Sequence, residues 1–106
     1  MIIVQYDREG ISVSSEGHAN FLPEGKDLVC ASVTVLFYTL AENVDRLMMR
    51  YRGVGGSDLV EGSGGIWYNP VDNADADAAR EVFDTVCVGF EMLAEKYPEF
   101  VSYEEI

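Results

Sequence analysis

The thiol of Cys30 and the imidazole of His18, the one histidine in the chain, are the side chains whose types could form a reactive pair. Asp27 precedes the cysteine, and aspartate is a preferred helix N-cap because its carboxylate accepts a hydrogen bond from a first-turn amide. A helix starting there puts Cys30 in its first turn. The macrodipole places roughly half a positive charge at that end, which favours thiolate over thiol. Free N–H groups of the same turn can hold an oxyanion, so the amides of Cys30 and Ala31 are the expected donors. Packing is the competing reading, because Val29-Cys30-Ala31 is apolar and free cysteine is among the most buried residue types.

His18 offers the base a cysteine nucleophile needs, set between the small residues Gly17 and Ala19. Taken alone it reads equally as a surface histidine at a strand end. A single strand-to-helix loop joins it to Cys30, so their approach is geometrically easy. Asp27 has two roles open to it, capping the helix or orienting His18 as a triad carboxylate does, and one oxygen cannot fully serve both. Cys87, between Val86 and Val88 on an apolar stripe, is assigned to the core, as are Trp67, Tyr68 and Phe90; Trp67 or Tyr68 could instead line a groove. Asp72, Asp75 and Asp77 read as a solvated helix start, without the glycine and distal glutamate of a calcium loop. CxxC zinc spacings and glycine-rich nucleotide motifs are absent, so no metal and no cofactor is expected.

These residues need elements to position them. Ile2 to Tyr6 is β-branched and aromatic, a strand. Asp7 to Gly10 is a turn, with Gly10 free to take positive φ, and a second strand runs from Ile11 to about His18. Ala19 to Lys26 is loop. From Asp27, apolar residues recur at spacings of three and four through Val33, Phe37, Leu40, Val44 and Leu47, a long and largely buried helix. Tyr51 to Glu61 and Ile66 to Tyr68 read as strands around a Gly62–Gly65 turn. A second helix carries Ala79, Phe83, Val86, Cys87 and Phe90 and stops at Pro98, and Phe100 to Ile106 offers an edge strand. The expectation is an α+β fold: an antiparallel sheet of two β-hairpins plus an edge strand, with two helices against it.

A chain of 106 residues fits one domain, taken as residues 1–106. Its hydrophobic fraction of 48% and charged fraction of 25% are those of a globular protein. Nineteen acidic against seven basic residues give a net charge of −12, which argues against nucleic acid and against an anionic bilayer. A basic protein is the natural partner, and plain solubility is the rival explanation. The apolar run from Leu28 to Leu40 is interrupted by Ser32, Thr34 and Thr39, and MIIVQYD lacks a basic leader, so no membrane association and a cytoplasmic location with reduced thiols are expected.

Gly17-His18-Ala19, then Gly25-Lys26-Asp27-Leu28-Val29-Cys30-Ala31, then Val33-Thr34-Val35-Leu36 resemble the signature of the ribosomal-processing cysteine protease family Prp, the YsxB-like proteins. The resemblance implies a small α/β fold, a homodimer, and a cysteine endopeptidase with a Cys–His dyad. It implies a basic large-subunit ribosomal protein as substrate, trimmed of a short N-terminal extension that ends in aromatic residues. Carried over, His18 is the base, Cys30 the nucleophile, and Asp27 matches the family's aspartate before the cysteine. Where the family often has serine four residues after the cysteine this chain has Thr34, which leaves the role of that hydroxyl open. The resemblance also allows a prophage-type protease that trims a capsid-type protein. Two readings without this activity compete: a non-catalytic acidic ribosome-associated binding module, and a thiol hydrolase of small esters or amides.

Overall fold

The structure, a computed structural model, describes residues 1–17, 26–60 and 62–106. In chain order its elements are β1 (Ile2–Asp7), β2 (Ser12–Glu16), α1 (Lys26–Arg50), β3 (Val54–Val60), β4 (Ser63–Asn69), α2 (Asn73–Lys96) and β5 (Val101–Glu105). The strands form one sheet, ordered β3-β4-β2-β1-β5. Alternation decides its faces: Ile2, Val4 and Tyr6 of β1, Val13 of β2, and Ile66 and Tyr68 of β4 are buried, while their neighbours are not. Against that buried face lie both helices, α1 over β3 and β4 and α2 over β5.

The α+β expectation holds, with two corrections. β5 runs parallel to β1, so the sheet is mixed rather than antiparallel. The helix α2 carries the chain back across the sheet before β5, the connection a parallel partner requires. The expected Gly62–Gly65 turn is shorter, keeping only Gly62 of those four residues. Ser63, Gly64 and Gly65 belong to β4, whose pairing with both β2 and β3 makes it an inner strand.

A third difference lies in the first hairpin, where Ile11 rather than Gly10 has positive φ, 54°. The Ile11 side chain is 1% exposed, so its burial outweighs a left-handed conformation that costs about 1–2 kcal/mol. The second helix is capped by Asp72, whose carboxylate accepts from the Asp75 N–H at 2.8 Å. By length and composition α1 could span a bilayer over Leu28–Arg50. In this fold its apolar stripe Val29, Val33, Phe37, Leu40, Val44 and Leu47 forms the core instead.

Candidate active site

Cys30 stands in α1 at the edge of that core stripe, half-buried and packed against it. Spacing of four puts Thr34 and Tyr38 on the same side of the helix. All three face a cavity of about 450 Å³ between α1 and the ends of the sheet strands. Ile2 and Gly17 form its wall on one side, Leu59 and Ser63 on the other. The sulfur is thus neither in a strand nor sealed in apolar packing. Tyr38, 62% exposed, was not among the expected site residues, although its helical spacing from Cys30 was a readable signal.

The chain reaches the cavity from β2 through Gly17, the residue before His18. Gly17 has φ 95°, donates its N–H to the Gly62 carbonyl at 3.0 Å, and lies so close to the Met1 carbonyl that a Cβ would stand 2.1 Å from it. Only glycine meets both conditions without strain. The start of β1, the end of β2 and the β3–β4 turn are therefore tied together at the cavity's rim. His18 itself, the loop 19–25 and the side chain of Asp27 lie outside the described residues.

The helix starts at Lys26, so the Asp27 backbone already lies within its first turn. That start shifts the expected oxyanion donors. The i→i−4 ladder takes up the amides of Cys30 and Ala31, and the amides it leaves free belong to the turn before.

The other cysteine is different. Cys87 is 3% exposed in α2, and burial pushes its thiol up to about 12, against a smaller lowering effect of its hydrogen bond with Tyr103. Its assignment to the core is correct, as are those of Tyr68 and Phe90, but Trp67 is 40% exposed. Asp75 is not solvated: it is 1% exposed and accepts from the Tyr68 hydroxyl at 2.6 Å and the Val71 N–H at 3.1 Å. Among the described residues no group of three His, Cys, Asp or Glu is placed to hold a metal ion.

The family model described as Cysteine protease Prp matches residues 1–102. The chain belongs to the Prp cysteine protease family. Solved structures resemble it along its whole length. The protein SMU.848 from Streptococcus mutans matches with a TM-score of 0.74 at 29% identity, over 100% of this chain and 94% of that one. The essential ribosomal processing protease Prp from S. aureus, in complex with a substrate peptide, matches with a TM-score of 0.72 at 22% identity over 100% of both chains. The same S. aureus enzyme with a covalently linked product peptide gives 0.70 at 20% identity, over 99% and 97% of the two chains. At these identities the S. aureus structures speak for the fold. A comparison with curated proteins finds no match. In a Prp cysteine protease the half-buried thiol on the cavity wall, rather than the sealed Cys87, is the one with room for a substrate.

Proposed function

We propose that this Prp protease cleaves a basic large-subunit ribosomal protein near its N-terminus, with Cys30 as nucleophile and His18 as base. The observation that carries the reading is the Cys30 thiol on the wall of an approximately 450 Å³ cavity at which the chain segment leading into His18 also arrives. The S. aureus relative described as a ribosomal processing protease supports the choice of substrate. His18 takes the thiol proton, and the thiolate attacks the scissile carbonyl carbon. First-turn amides of α1 hold the resulting oxyanion, each worth about 3 kcal/mol in a good site. A role for the Cys30 and Ala31 amides requires the helix start to loosen around the substrate. The imidazolium then protonates the departing amine, and water, deprotonated by His18, resolves the thioester. Asp27, inside the first turn of α1, either complements the positive end of the helix or orients His18. A thiolate supplies its own nucleophile, so this chemistry needs no metal or organic cofactor.

The protein works in the cytoplasm as a homodimer on this reading, and its −12 charge collects the basic substrate. Added salt should therefore slow capture of the substrate without slowing turnover. Mass spectrometry of purified ribosomal proteins after incubation with the enzyme tests the proposal. Cys30→Ser should abolish the truncated product, and His18→Ala should slow it by roughly 10²–10⁴-fold. Wild-type rates in either variant would end the proposal.

A further inference from the structure

The sheet buries one face beneath the helices and leaves the other open. Strand register places four carboxylates on the open face: Asp7 of β1, Glu16 of β2, Asp58 of β3 and Glu104 of β5. No strand contains a lysine or arginine. Among the described residues Glu16, Asp58 and Glu104 make no ion pair. Trp67, 40% exposed, lies one same-face step beyond Asp58 and two beyond Glu16 along the strands, with Gly56 opposite it on β3 and Ser12 opposite it on β2. The indole lies across Gly56, where a Cβ would come within 2.7 Å of Cζ2. An aromatic ring on a bed of small residues, with the carboxylate of Asp58 diagonal to it, attracts a cation from two directions: through the ring quadrupole and through the charge.

We propose that this face docks an arginine- or lysine-rich segment of a basic polypeptide, with Trp67 as the platform and Asp58 and Glu16 as counter-charges. Arginine suits it best, because a planar guanidinium stacks on the indole while its N–H groups reach a carboxylate. A second copy of this chain does not fit, since it would set carboxylate against carboxylate with no cation between them. The open face meets the cavity at the end of the sheet where Val60 pairs with Ser63. Ser63, which begins β4, lines the cavity, and Trp67 follows on the same strand at a distance of roughly 13 Å. An extended substrate covers that in about four residues. Resting on the function proposed above, the segment belongs to the substrate itself, about four residues beyond the part seated beside Ser63.

Trp67 is the only tryptophan, so its fluorescence reports directly on this face. Titration of the full chain with hexa-arginine should give a saturable change in emission that salt reverses. Asp58→Asn with Glu16→Gln should weaken the apparent affinity about fivefold or more. Asp45→Asn with Glu91→Gln, which removes the same charge from the exposed helix surfaces, should leave it within about twofold. No saturable change, or equal weakening in both double variants, would overturn the proposal. This readout does not involve the thiol, so it persists in Cys30→Ser and stands or falls apart from catalysis. In a cleavable peptide extended by an arginine-rich stretch, Trp67→Ala should raise KM and leave kcat unchanged. An unchanged KM would remove the substrate from this face.

Discussion

Two cysteines of the same chain illustrate how environment sets reactivity. Cys30 lines a cavity, whereas Cys87 is sealed in α2 with its thiol pushed up to about 12 by burial. Thiolate is the reacting species, so iodoacetamide at neutral pH should modify Cys30 rapidly and spare Cys87 in the folded protein. Peptide mass spectrometry showing equal labelling would contradict the assignment. Thr34 carries a related contrast. The hydroxyls of Ser32, Thr39 and Thr85 donate to carbonyls one turn back at 2.7, 2.7 and 2.8 Å, and among the described residues Thr34 makes no such bond. Thr34 stands at the cavity wall, so Thr34→Val should change cleavage kinetics while stability stays within about 0.5 kcal/mol. Apolar context and helical spacing were enough to place Cys87 in the core; for Cys30 they left packing open, and the family resemblance pointed to the reactive role. They were not enough for Trp67, because an aromatic residue in a short apolar strand looks the same whichever face it occupies.

The strands and helices do their positioning through a few strained or crowded joints. Gly17 is one, and its replacement by alanine would meet both a φ of 95° and the Met1 carbonyl. Gly17→Ala should cost about 1–3 kcal/mol in urea denaturation, and cleavage should suffer further because the segment entering His18 is displaced. Wild-type stability and rate together would show that the joint positions nothing. Ile11 is another. Ile11→Ala keeps the left-handed backbone but leaves a hole in the core, so a loss of about 2–4 kcal/mol is expected from the same measurement. The helices were legible because their periodicity repeats over many turns. The β3–β4 connection was misread because Gly62-Ser63-Gly64-Gly65 has the composition of a turn, while the pairing of β4 with two neighbours is a long-range fact.

Across the whole molecule, the two layers are held together by polar ties whose protonation limits the pH range of stability. Tyr6 and Tyr68 reach from the sheet to Asp84 and Asp75 of α2 at 2.8 and 2.6 Å. Burial first, then these carboxylates, raises both phenols above their usual 10.0, and burial raises Tyr103 likewise. The folded state therefore holds protons that the unfolded chain releases, so this stabilisation is complete below pH ~9 and falls as pH rises, first through Cys87 and then through the tyrosines. At the acid end, partial burial would raise Asp84, but hydrogen bonds from Arg8 and Tyr6 outweigh it and hold the carboxyl below 3.8. That contribution is present above the unfolded value and is lost as pH falls through the lower folded one. Thermal melts should thus show a plateau at neutral pH and a decline beginning near pH 9. A Tm still constant at pH 11 would refute this account.

Local information settled both helices, most strand positions and the core place of Cys87, because periodicity and composition are properties of short segments. Folding decided the parallel β5, the cavity beside Cys30, the burial of Asp75 and the acidic open face around Trp67. Each of these depends on which strands pair and in what register, and that follows from contacts between residues far apart in the chain.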